Sequence, residues 1–190
     1  HFRGFWNADQ PKAADIRRIA RKVNQLSPGT IIRLGGMTDC FQPCEQEQRV
    51  TYHTILEMNR RRVGYLIVTK SALIAEPEYL EILDRSLAHI QITVTCLDDK
   101  KTLTYEKASP PSQRVLAIQK LQESGFDVSM RLSPVIEEFM DFEMLNSLDI
   151  ERCVVEFLRI NTWIRQWLKE VDFTKYSLRH GGYCLSLIHI

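Results

Sequence analysis

The sequence predicts an α/β fold: a single domain that forms part of a (β/α) TIM-like barrel around a parallel sheet. Three observations carry this reading. Short apolar runs alternate five times with segments of helical period, at intervals of roughly 26 to 37 residues, which is the length of a βα unit. The run at 64–69 is apolar almost throughout, as expected of a strand covered on both faces. The first run, Thr30-Ile31-Ile32-Arg33-Leu34, delivers Gly35-Gly36-Met37-Thr38-Asp39 to its carboxyl end, where barrels of this kind assemble ligand groups.

In chain order, residues 13–26 carry Ile16, Ile19, Ala20, Val23 and Leu26 at helical spacing, and Pro28-Gly29 stops that helix. The strand 30–34 follows. A helix is then expected over 45–62, with Val50, Ile55, Leu56 and Met58 on its buried side and Arg60-Arg61-Arg62 at the negative end of its dipole. After the strand 64–69 come a helix over 76–88, a strand over 90–95 and a loop over 98–111. The next helix, 112–124, is expected to be capped by Ser112 and ended by Gly125. Strands at 128–132 and 153–158 flank a less regular stretch rich in Glu and Met, and Asn161 caps a last helix reaching about Val171.

A chain of 190 residues suffices for one domain with a sizeable core. With 25 basic and 24 acidic residues the net charge is +1, so bulk charge does not call for a nucleic-acid partner, and only a local patch could. No apolar run is long enough for a membrane span. Five cysteines without a paired framework suit a reducing cytoplasm. The chain opens at His1 with Phe2, Phe5 and Trp6 and closes on Cys184-Leu185-Ser186-Leu187-Ile188-His189-Ile190. It reads as an internal piece of a longer protein, with residues 1–183 as an incomplete core domain and 184–190 as a non-native tail.

The strand ends share a polar character. They carry Gly35, Gly36, Thr38 and Asp39, then Thr69-Lys70-Ser71, then Thr93 and Thr95, then Arg131-Leu132-Ser133-Pro134, then Glu156. Such a ring suits a ligand with both a carboxylate and a polar sugar: a lysine for the carboxylate, hydroxyls and backbone for the rest.

These residues resemble a known family. Thr38-Asp39-Cys40-Phe41-Gln42-Pro43-Cys44-Glu45 is similar to the T-D-x-[YF]-Q-P-x-E signature of spore photoproduct lyase-like radical S-adenosylmethionine proteins. Leu66 to Ser71 resembles their strand ending in T-K-S. Glu106 to Ser112, followed by Arg114, Ile118, Leu121 and Gly125, resembles their E-x-x-x-P-[PS]…R…I…L…G stretch, and Arg131-Leu132-Ser133-Pro134-Val135-Ile136 their R-[IL]-x-P-[LVM]-I strand. The matches run in family order across roughly residues 30 to 140.

The resemblance implies a partial (β/α)6 barrel of the radical S-adenosylmethionine type, truncated at its N-terminus. It implies a four-iron, four-sulfur (4Fe-4S) cluster, S-adenosylmethionine, and an electron donor such as flavodoxin or ferredoxin. The activity implied is formation of a 5′-deoxyadenosyl radical that abstracts hydrogen from an unknown substrate, nucleic-acid related in the type enzyme. By the same resemblance Lys70 holds the methionyl carboxylate, with Gly35, Gly36 and Thr38 near the amine and carboxylate. Thr93 or Thr95 approaches the ribose, and Arg131 with Pro134 lines the adenosine side. The family's C-x3-C-x2-C cluster loop has no counterpart here: Cys40 and Cys44 have the first spacing, but position 47 is Glu. The cluster ligands are therefore expected upstream of His1. The lyase's hydrogen-donor cysteine, two residues before the hydroxyl-Asp pair, is replaced by Gly36, which argues against photoproduct repair and leaves the catalytic residues unassigned.

Plainer readings stand beside these. Cys40 and Cys44 are either metal ligands, which would need His53 or another donor, or part-buried thiols; Cys96 and Cys153 read as core thiols. Lys70 could be a surface lysine, and Gly35-Gly36 could only ease a turn. Arg131 could pair with Glu137, Glu138 or Asp141. Arg49 with Arg60-Arg61-Arg62 reads as a solvated helix end, since no aromatic residues are interleaved to stack bases. Trp163 and Trp167 read as core packing; Arg179-His180-Gly181-Gly182 is a further candidate site element. Two rivals remain: a metal-dependent barrel hydrolase or lyase using Asp39, Glu45 and Glu156, and an inactive barrel that binds a nucleotide-like ligand or a partner protein.

Overall fold

The computed structural model describes residues 13–36, 38–160, 162–178 and 183–186. Asn161, Trp163's side chain, the stretch 179–182 and residues 187–190 lie outside the described residues. The first helix, α1 (Ile16–Asn24), starts on Asp15, whose carboxylate accepts the Arg17 N–H at 2.9 Å. Five strands then lie side by side in chain order, all parallel: β1 (Ile31–Leu34), β2 (Gly64–Thr69), β3 (Ala88–Thr93), β4 (Asp127–Val135) and β5 (Cys153–Arg159). They curl into a partial TIM-like barrel, the fold class the alternation predicted. Beyond β5 the sheet turns antiparallel, with β7 (Tyr183–Ser186) paired to β5 and β6 (Tyr176–Leu178) outside it. The first three residues of the stretch set apart as a tail, 184–186, thus belong to a strand.

Each parallel strand turns one face to the helices and the other to the concave interior. Tyr65, Ile67, Ile90, Ile92, Val128, Met130 and Leu132 are buried against Ile55 and Met58 of α3 (Val50–Arg61) and Ile118 and Leu121 of α6 (Pro111–Glu123). Leu66 and Val68 face the other way and are only half-buried, so the apolar run of β2 has one face packed and one lining the open side.

Several boundaries differ from the sequence reading, each for a local reason. The single helix expected over 45–62 is two, α2 (Glu45–Gln48) and α3, broken at Arg49, whose φ of 51° is left-handed. The buried Glu45 carboxylate makes the break worthwhile: it accepts the N–H groups of Thr51 at 2.9 Å and Tyr52 at 2.8 Å, orphan donors at the start of α3, and the Tyr79 hydroxyl at 2.9 Å. The helix expected over 76–88 is only α4 (Pro77–Ile82), preceded by a 3₁₀ turn at Ala72–Ala75. Pairing of Tyr65 with Ala88 draws the chain into the sheet early, so β3 ends at Thr93 and Thr95 lies beyond it. The expected loop over 98–111 contains the short α5 (Asp99–Thr102), capped by Asp98. Ser112 does not cap the helix that follows: α6 begins at Pro111, and the Ser112 hydroxyl donates to Asp99 at 2.6 Å. Gly125, at φ 77°, ends α6 as expected. The Glu- and Met-rich stretch holds α7 (Phe142–Ser147), and the last helix is shortened to α8 (Thr162–Trp167). Trp167 is 78% exposed rather than part of the core, and Cys153 is exposed at the start of β5.

Candidate functional site

The carboxyl ends of β1–β4 surround a cleft of about 250 Å³. Gly35, Gly36, Thr38, Lys70, Thr93 and Arg131 line it together with Arg33, Asp39 and Ser133, so six of the eight sequence-predicted ligand residues come together. Thr95 and Pro134 are not among its lining residues. The two glycines differ. A Cβ on Gly35, whose φ is +78°, would come within 2.2 Å of the Val68 carbonyl oxygen, so glycine is required there by the close approach of β2. At Gly36 a Cβ would meet nothing within 4 Å, and the backbone is open to the cleft.

Asp39 ties the loop after β1 to the end of β2. Its carboxylate accepts the Phe41 N–H at 2.9 Å, the Thr69 hydroxyl at 2.7 Å and the Lys70 N–H at 2.6 Å. Lys70 is thereby held with its backbone at the strand end while its side chain reaches outward. The ammonium pairs with Glu106 at 2.5 Å, 36 residues away in the chain. Glu106 also accepts the Thr95 hydroxyl at 2.7 Å and Arg114 at 2.7 Å. Arg114 is wholly buried and also donates through Nε to the Ser109 carbonyl and through Nη1 to the Thr93 carbonyl. Burial opposes charge on Glu106, but the cations of Lys70 and Arg114 and the Thr95 hydroxyl outweigh it and hold the carboxyl below its ordinary range.

On the far wall Arg131 pairs with Glu156 and bonds the Gln91 side chain at 3.0 Å; its partner is not Glu137, Glu138 or Asp141. Ser133 donates to the same Glu156 oxygen at 2.5 Å. That hydrogen bond and the Arg131 charge keep Glu156 ionised below the usual glutamate range. A second cavity of about 700 Å³ opens beside the cleft, sharing Asp39 and Lys70 with it and taking in Glu106 and the loop 41–43.

The three acids of the metal-hydrolase rival are committed separately: Asp39 to the β1–β2 junction, Glu45 to the start of α3, Glu156 to Arg131 and Ser133. Among the described residues no group of three His, Cys, Asp or Glu could hold a metal ion, Cys40, Cys44 and His53 included. Burial and the neighbouring Asp39 raise the Cys40 thiol well above its ordinary range, which suits an inert thiol. The arginines 60–62 sit at the amino end of β2, opposite the cleft. Arg60 bonds Glu57 and Asn24, Arg62 bonds Asp84 and Ser86, Arg61 bonds the carbonyls of Asn24 and Leu26, and Arg49 pairs with Glu78. No helix among the described residues is long and apolar enough to cross a membrane. Reasoning from sequence missed Glu106 and Arg114 as site-building residues. The signal was present, since an acid and an arginine eight positions apart bracket Pro110-Pro111, but their partners lie far away in the chain.

The fold and the cleft define a partial (β/α) barrel with a polar ring at its strand ends. No protein-family model matches the chain, and no curated protein matches it by sequence. Its fold is similar to that of solved spore photoproduct lyase structures. One, a mutant with bound AdoMet and dinucleoside spore photoproduct, is 13% identical, with 92% of this chain and 58% of that chain covered and a TM-score of 0.54. Another, complexed with dinucleoside spore photoproduct, is 14% identical over 89% and 56%, with a TM-score of 0.53. A further mutant is 15% identical over 89% and 56%, at 0.55. The chain therefore spans little more than half the length of the proteins it matches, and at these identities the fold is what is shared.

Proposed function

We propose that this chain is the barrel portion of an enzyme that binds S-adenosylmethionine at the strand-end cleft and uses it for radical hydrogen abstraction. The observation that carries the reading is convergence: six residues named from sequence alone line one cleft, in a fold similar to that of a lyase solved with bound AdoMet. The donor set fits the ligand. Lys70 supplies a cation for the methionyl carboxylate, Gly36 leaves backbone open beside it, and Thr38 and Thr93 supply hydroxyls. Arg131, held by Glu156 and Gln91, forms the opposite wall with Ser133 and so bounds the adenosine side. When bound beside a reduced four-iron, four-sulfur cluster, the ligand supplies a hydrogen-abstracting radical, with electrons from a donor such as flavodoxin or ferredoxin. The described residues do not fit the cluster itself, since no trio of donors is present among them. The larger cavity, which shares Asp39 and Lys70 with the cleft, is the space this reading assigns to the substrate.

The test is anaerobic iron–sulfur reconstitution of the full-length protein, followed by dithionite-driven assay of 5′-deoxyadenosine and equilibrium binding of S-adenosylmethionine. Lys70→Ala should weaken binding by about tenfold or more, the worth of a charge-assisted hydrogen bond. Binding without cleavage in the reconstituted protein would instead favour a barrel that only holds a nucleotide-like ligand.

A further inference from the structure

Glu106 lines the larger cavity and reaches Lys70, which lines both that cavity and the cleft. Its two oxygens are used differently. Oε2 is fixed by Arg114, which is wholly buried and is itself held by bonds from Nε and Nη1 to the carbonyls of Ser109 and Thr93. Oε1 takes the Thr95 hydroxyl at 2.7 Å and the Lys70 ammonium at 2.5 Å. Arg114 and Thr95 thus fix the carboxylate from behind, while the Lys70 ammonium approaches it from the open side. Lys70 is in the opposite situation. Its side chain is 37% exposed, and Glu106 is its one bonded partner among the described residues. Left alone, a lysine at such a mouth samples many rotamers, which a ligand must then freeze at a cost of about 2 kcal/mol.

We propose that Glu106 is a positioning residue: braced by Arg114 and Thr95, it holds the Lys70 ammonium at the mouth of the strand-end cleft, ready for the carboxylate of the incoming ligand. The ammonium has three N–H donors, and Glu106 engages one side of it, leaving others for a carboxylate in the cleft. Glu106 itself does not line the cleft and acts only through Lys70. This inference rests on the S-adenosylmethionine reading for the identity of the ligand, though the hold on Lys70 is a property of the chain alone.

Two measurements on the purified full chain separate the claims. The first compares dissociation constants for S-adenosylmethionine and for its decarboxylated form, which keeps the sulfonium, amine and adenosine but lacks the carboxylate. Glu106→Gln should weaken the first ligand about tenfold and the second by no more than about twofold, and should add little to Lys70→Met, as expected for coupled residues. Equal losses for both ligands, or additive effects with Lys70→Met, would overturn the positioning role and leave Glu106 a structural residue. The second measurement needs no ligand: acylation of Lys70 by an amine-reactive ester, followed by mass spectrometry. Released from the carboxylate, Lys70 should label several-fold faster in Glu106→Gln; an unchanged rate overturns the proposal. If the wild type binds neither ligand but the labelling responds, the S-adenosylmethionine reading fails while the hold on Lys70 stands. Should Glu106→Gln fail to fold, Glu106→Asp keeps an anion beside Arg114 but draws it back from Lys70, and the same directions are expected with smaller changes.

Discussion

Neighbouring glycines at the end of β1 show how differently two identical residues are constrained. Gly35 is held at positive φ with the Val68 carbonyl oxygen 2.2 Å from where a Cβ would stand, while Gly36 faces open space. Gly35→Ala should therefore cost about 2 kcal/mol or more in chemical denaturation, because β2 must move or the turn must rearrange. Gly36→Ala should change stability by no more than about 0.5 kcal/mol but weaken ligand binding, since its Cβ would project into the cleft. Equal stability losses at the two positions would contradict this assignment. Lys70 and Arg131 share one logic at the same scale: each of these two cleft cations pairs with a carboxylate from a distant part of the chain, Glu106 for one and Glu156 for the other.

The elements around the cleft are set by polar side chains as much as by periodicity. The break between α2 and α3 depends on Glu45, which is 3% exposed and accepts bonds from Thr51, Tyr52 and Tyr79. Glu45→Gln replaces one acceptor oxygen with an amide donor that faces donors. A loss of about 1–3 kcal/mol is expected, the cost of leaving a buried polar group unsatisfied. Hydrogen exchange should show the loss concentrated in the first turn of α3, and uniform loosening of the whole domain would argue against the capping role. Tyr65 joins β2, α3 and the turn before β3 in the same manner. Its hydroxyl donates to Asn59 and accepts the Asp84 N–H, and burial pushes its phenol up to about 12.

Across the whole molecule, the carboxylates paired with Lys70 and Arg131 make folding sensitive to acid. Glu106 and Glu156 are both depressed below the ordinary glutamate value in the folded state. A depressed carboxyl contributes stability that is present above its unfolded value and lost as pH falls through the folded one. The urea midpoint should thus fall as pH drops below the ordinary glutamate value of about 4.3. Glu106→Gln, less stable at neutral pH, should show a shallower fall. A midpoint indifferent to acid would mean that neither carboxylate is held in its charged form by folding.

The sequence by itself determined the alternation of strands and helices, the parallel order and the polar strand ends, because helical period, apolar runs and strand-end residues are written within a few positions of each other. It placed Gly35, Gly36, Thr38, Lys70, Thr93 and Arg131 well enough that they line one cleft. Tertiary structure alone decided where β3 stops, and hence that Thr95 turns to Glu106 and Tyr105 instead of lining the cleft. It also decided that Glu45 breaks a helix and that the arginines of α3 lie opposite the cleft. Above all it chose the partners: Glu106 meets Lys70 across 36 residues and Glu156 meets Arg131 across 25. Local pattern carries no information on such meetings, because they depend on how far each strand runs and how the sheet curls, and those are properties of the packed whole.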